Sequence, residues 1–198
     1  MDDAPRFVAI DQEAEFRAFL ERVPELPQQL RTALEAVPVS RDGSTVYRPC
    51  EVELDDGQVV DGVYLIEARS YFSKWGVAPW NDSWKRHVPV ERIRGLRDSP
   101  TRLPPEIADE LYEHGEDGVG YCVFELVLAD GRVLACQTGN AVDFVALPDG
   151  VRSDQVVGAR PGQGRGREPD CRERRYAWSL YQDETTRPDL PLYTPRAM

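Results

Sequence analysis

The sequence predicts an α+β protein built largely from antiparallel hairpins with two or three short helices. Three observations point there. Two Asp-Gly turns are each flanked by runs rich in β-branched and aromatic residues, apolar stripes at helical spacing end at prolines or glycine, and these elements recur in the same order twice.

Taken in order, Asp11 can cap a first helix in which Phe16, Phe19, Leu20 and Val23 fall at i, i+3, i+4 and i+7, before Pro24 stops it. A second helix opens at Leu26-Pro27, with proline near the first helical position. It carries Leu30, Ala33, Leu34 and Val37 on one face as far as Pro38. After the turn Arg41 to Ser44, the runs 46–54 and 58–68 flank Asp55-Asp56-Gly57, where glycine supplies the positive φ of a tight turn, so they read as a hairpin. Residues 70–89 read as a long aromatic loop, followed by a short strand from Val90 to Leu96. Leu103-Pro104-Pro105 opens a third helix with Ile107, Ala108, Leu111 and Tyr112 on one face and Gly115 as its stop. A second hairpin spans 121–128 and 132–137 around Ala129-Asp130-Gly131, and Asp143 to Leu147 reads as one more strand.

The two stretches match residue by residue. Leu26-Pro27, Leu30 and Leu34 correspond to Leu103-Pro104, Ile107 and Leu111. Tyr47, Glu51, Leu54, Asp56, Gly57 and Val59 correspond to Tyr121, Glu125, Leu128, Asp130, Gly131 and Val133. The expectation is a pair of similar αββ units, 26–72 and 103–147, neither large enough to bury its own sheet face, packed into one pseudo-symmetric body over 1–150. Beyond Gly150, residues 158–175 combine glycine, proline and arginine without apolar periodicity and read as linker. Tyr176, Trp178, Leu180 and Tyr181 then form an aromatic anchor, while Pro188, Pro191 and Pro195 hold the end of this 151–198 extension extended.

At 198 residues, with 41% hydrophobic and 30% charged side chains, the composition is globular and stability needs no metal or disulfide staple. No run reaches the roughly 20 apolar residues of a membrane span, and the acidic opening Met1-Asp2-Asp3 is unlike a secretory signal. The expected location is the cytoplasm, with no membrane contact. Cys50, Cys122, Cys136 and Cys171 are widely spaced without a Cys-x-x-Cys pair, which fits structural thiols. Only Lys74 and Lys85 are lysines among 24 basic residues, a bias of GC-rich, bacterial coding.

Residues 1–150 hold 28 acidic and 15 basic side chains, a balance of −13, whereas residues 151–198 stand at +2. Phosphate contacts need clustered Lys and Arg, so the acidic body argues against nucleic acid and for a basic protein partner. Three of the four tryptophans lie close together, and Tyr71, Phe72, Trp75, Trp80 and Trp84 are the candidate partner-binding rings, since Trp and Tyr bury large area with few rotors. Carboxylate chemistry would draw on Glu116, Asp117 and Asp143, with His114 beside them. Two histidines, His87 and His114, are too few for a His-rich metal site, and no calcium-loop spacing is visible, so neither metal nor cofactor is expected. Gly162-x-Gly164-x-Gly166 lacks the Lys-Ser/Thr ending and the flanking strand of a phosphate loop.

The leading expectation is therefore a non-enzymatic acidic binding protein of the inhibitor or immunity type. Two other readings stay open: a small enzyme with its carboxylates in a cleft between the units, which requires Glu116, Asp117 and Asp143 to converge, and a structural subunit exposing an apolar patch at 176–181. The residues leave oligomeric state open.

Overall fold

A computed structural model describes residues 12–162 and 168–183. The Asp11 cap, most of the Gly162 to Gly166 motif and the three C-terminal prolines lie outside the described residues.

Helix α1 (Gln12–Leu20) buries Phe16 and Phe19. Helix α2 (Gln28–Ala36) starts directly after Pro27, whose φ of −54° is already suited to a helix, and buries Leu30 and Leu34. Strand β1 (Ser40–Asp42) turns back at Gly43 onto β2 (Thr45–Leu54), and β3 (Val59–Glu67) completes the first hairpin. At its tip Gly57 adopts φ 80°, and the Asp56 carboxylate accepts the Gln58 N–H at 3.0 Å. The second hairpin repeats the device: Gly131 has φ 85°, and Asp130 accepts the Arg132 N–H at 3.0 Å. Aspartate thus holds the turn, and only glycine meets its backbone demand cheaply.

A fourth helix appears where the sequence read a loop: α3 (Ala68–Trp75) occupies the front of the aromatic segment. Glu67 accepts the Ser70 N–H at the helix start, and Gly76 ends it in the left-handed region. Ala68, Tyr71, Phe72 and Trp75 stand at helical spacing, a period masked by their being aromatic. After a single 3-10 turn at Val90–Arg92, β4 (Ile93–Asp98) pairs with β2. Helix α4 (Pro105–His114) buries Ile107, Ala108, Leu111 and Tyr112 and stops at Gly115, as its sequence predicts. Strands β5 (Cys122–Leu128) and β6 (Val133–Thr138) follow. The expected strand from Asp143 to Leu147 shrinks to β7 (Val145–Ala146), because Asp143 is drawn inward by its carboxylate.

The change of character at residue 151 is not a change of body. Strand β8 (Val156–Pro161) pairs with β5, β9 (Cys171–Glu173) runs parallel to β6, and β10 (Ala177–Tyr181) runs parallel to β3. The segment 158–175 is therefore strand at both ends rather than linker. Residues 176–181 form a sheet strand with Trp178 and Leu180 buried, rather than an exposed patch, so the structural-subunit reading loses its docking surface.

Two mixed sheets result, one of β1, β2, β3, β4 and β10, the other of β5 to β9. Their pairing is alike: β4-β2-β3-β10 in the first matches β8-β5-β6-β9 in the second. One irregularity corresponds as well, although the register shift at Cys50/Glu51 in the first hairpin has no counterpart in the second. The register slips at Glu53/Leu54 and at Val127/Leu128, where the Asp55 N–H reaches the Arg92 carbonyl at 2.8 Å and the Ala129 N–H reaches the Gln155 carbonyl at 2.9 Å. The likeness is one of hydrogen bonding and order; α1 and α3 belong to the first half alone.

The larger core cluster joins α1, α3 and α4 to both sheets, and the smaller one lies under α2. Tyr64 sits near the centre of the larger, with the rings of Phe144 and Trp178 both 4.9 Å away and that of Tyr176 at 5.1 Å. All four cysteines are free and buried, and burial pushes the Cys50 thiol up to about 12 and Cys122 to about 11.

Candidate functional site

Asp143 is fully buried and engaged through both carboxylate oxygens. Its Oδ2 accepts from the Tyr112 hydroxyl at 2.7 Å and from Tyr64 at 3.2 Å, while Oδ1 accepts from Ser40 Oγ at 2.5 Å. Arg102, itself buried, completes the node: Nη2 donates to Asp143 Oδ1 at 3.2 Å and to Ser40 Oγ, and Nη1 donates to the Pro38 carbonyl at 2.6 Å. Burial raises the Asp143 carboxyl, opposed by the Arg102 charge and the hydroxyls of Ser40, Tyr112 and Tyr64. Residues from β1, β3, α4 and the turn before β7 meet here, so the node joins the two halves. With every acceptor position filled from within and no exposure, Asp143 is a structural anchor. It is not a cleft carboxylate.

The other candidate acids stand apart from it. Glu116 Oε2 accepts the Gly120 N–H at 3.0 Å and lies at a crevice of about 130 Å³ beside the Lys74–Asp42 ion pair. Asp117 Oδ2 holds the Val123 N–H at 2.6 Å, and its Oδ1 is 3.9 Å from His114 Nε2. Glu116, Asp117 and Asp143 therefore do not converge, and the enzyme reading loses the arrangement it required. No group of three or more potential metal ligands gathers among the described residues.

Of the five candidate rings, one is open. Tyr71 is fully buried, and Phe72, Trp75 and Trp80 pack against the core. Trp80 is sandwiched by Phe19 at 5.5 Å and the Arg22 guanidinium at 4.7 Å, with His87 on its edge at 5.1 Å. Burial lowers the His87 pKa, which keeps that imidazole neutral. Trp84, at 95% exposure, projects from the connection between α3 and β4.

A second exposed feature is electrostatic. On α4, Glu106, Glu110 and Glu113 form a stripe opposite the buried face, and none of them has an ion pair among the described residues. Asp109 between them is paired with Arg41. The stripe continues into Glu116 and Asp117, and between residues 105 and 120 there is no lysine or arginine. At its end Val119, flanked by Gly118 and Gly120, is completely exposed.

Sequence reasoning missed Arg102 and Ser40. Nothing local marks Arg102 or Ser40, whose partners come from distant segments. No helix among the described residues is long and apolar enough to cross a membrane. No family model, curated protein or solved structure matches the chain.

Proposed function

We propose that this chain is a non-enzymatic bacterial binding protein of the inhibitor or immunity type that engages a basic protein through α4 and the turn after it. The observation carrying this reading is the unpaired stripe Glu106, Glu110 and Glu113, running into Glu116 and Asp117 around the exposed Val119. Unpaired acids on one rigid face produce a field that steers a cationic partner, and an apolar tip among them offers the desolvated contact that charges alone do not give. The overall charge of −11 acts in the same direction.

The test compares tagged wild type with the triple variant Glu106→Gln, Glu110→Gln, Glu113→Gln, each captured from the native host at low salt and eluted with rising salt. A basic protein released from wild type at moderate salt and missing from the variant supports the reading. Equal recovery on both, or retention indifferent to salt, rejects it.

A further inference from the structure

The connection that carries Trp84 faces the strand segment before β10, and between them lies a cavity of about 380 Å³ lined by Ser83, Trp84, Lys85, Arg86, Glu173, Arg175 and Tyr176. Its sign is opposite to that of the molecule. Three cations face one carboxylate, in a chain whose net charge is −11.

The side chains differ in how far they are already engaged. Lys85 is 3.8 Å from Asp82, and its ammonium lies over the rings of Trp75 at 4.3 Å and Tyr71 at 5.3 Å, so it is held against the core. Glu173 is engaged by the Gly139 N–H, which it accepts at 3.1 Å. Arg86 and Arg175 are exposed and have no ion pair among the described residues. Trp84 has no ring partner there and is open on both faces to solvent. The mouth thus offers two free guanidiniums and one free indole.

Behind the lining lies a cluster of aromatic rings. Tyr176 meets the Trp178 ring edge-on at 5.5 Å, and Trp178 meets Tyr71 at 5.2 Å and Trp75 at 5.5 Å. The Tyr71 hydroxyl and the indole N–H groups of Trp75 and Trp178 are buried without a hydrogen-bond partner. Buried donors of this kind are ordinarily paired, and leaving one unpaired is costly. None of these three donors lines the cavity, and they bear on it only as the packing behind Lys85 and Tyr176.

We propose that this cavity binds a small anion carrying a planar ring, of which a mononucleotide is a representative form. Arg86 and Arg175 hold the anionic group, since a guanidinium pairs phosphate or carboxylate oxygens through two parallel N–H bonds. Trp84 stacks on the ring, an interaction every base face allows and which sets no strong base preference. The volume lies at the lower end of ordinary small-ligand sites, which suits a mononucleotide rather than a dinucleotide. This site shares no residue with the α4 stripe and does not depend on it.

The test is calorimetric titration of the full chain with AMP, UMP and naphthalene-2-sulfonate, with adenosine and inorganic phosphate as the separated halves. Saturable binding of at least one ring-bearing anion is expected, with each half bound at least tenfold more weakly. The double variant Arg86→Ala, Arg175→Ala should lose at least tenfold in affinity and Trp84→Ala about fivefold, with circular dichroism and melting unchanged because these side chains are exposed. In the same titration the exposed Trp84 supplies the red-edge fluorescence that ligand quenches, a signal absent from Trp84→Ala. No saturable binding by any of the three anions overturns the proposal. So does binding that the double arginine variant leaves intact.

Discussion

The node at Asp143 and the stripe on α4 are made of the same functional group, and the chain uses it in opposite ways. Asp143 has no exposure and four side-chain donors on its two oxygens, whereas Glu106, Glu110 and Glu113 have solvent around them and no ion pair among the described residues. A carboxylate surrounded by donors from within is part of the architecture; one left unpaired on a rigid face is available to something outside. Engagement, rather than residue type, separates the two groups of acids in this molecule.

The largest effect should come from breaking the buried member. Asp143→Ala leaves the Arg102 guanidinium and three hydroxyls without their acceptor, and a loss of about 3–5 kcal/mol is expected in urea unfolding. The double variant Asp143→Leu, Arg102→Met should recover part of that loss, because it removes the orphaned charge as well. A double variant no better than Asp143→Ala would show that packing, not charge, carries the node.

A carboxylate of intermediate burial sharpens the comparison. Asp61 accepts from Ser99 at 2.5 Å, Thr101 at 2.5 Å and Arg174 at 2.8 Å. Partial burial pushes its pKa up, but Ser99, Thr101 and Arg174 together pull it below the ordinary value. A depressed folded pKa gives stability that is fully present above the unfolded value of about 3.9 and is lost as pH falls through the folded value beneath it. Asp61→Asn is expected to cost about 1.5–3 kcal/mol at pH 7 and to flatten the acid limb of stability below about pH 4. An unchanged acid limb in urea titrations from pH 6 to pH 2.5 would count against this assignment.

At the exposed end, the triple glutamine variant on α4 should keep the wild-type urea midpoint while losing the salt-dependent capture described above. A large drop in the midpoint would mean that the stripe supports the fold. The smallest change in stability is expected for Trp84→Phe, because the ring touches nothing that holds the fold; its melting temperature should match wild type by calorimetry.

Much of the fold was legible because its signals are local. Asp56-Gly57 and Asp130-Gly131 specify their turns within four residues, and the stripes of α2 and α4 are each complete within one helix. What was not legible depends on distance in sequence. Strand β10 is read correctly only with β3 beside it, and Asp143 is explained by Ser40, Tyr64 and Arg102, none of which is a neighbour along the chain. Helix α3 was hidden for another reason: aromatic residues in a tryptophan-rich stretch suggested a binding loop, though three of them keep helical spacing with Ala68. The exposed Trp84 was found by residue type, but the arginines beside its cavity were not, since Arg175 comes from the far end of the described chain.

Strand β10 also orders events during synthesis. The first hairpin leaves the ribosome early, yet the strand that lies along β3 is made only after the whole second sheet has been translated. Until then the edge of β3 carries unpaired backbone groups beside Val63 and Leu65, the pattern that invites pairing with another chain. Cells making this protein therefore hold an incomplete sheet for most of its translation, a period in which a holdase chaperone has a defined edge to cover.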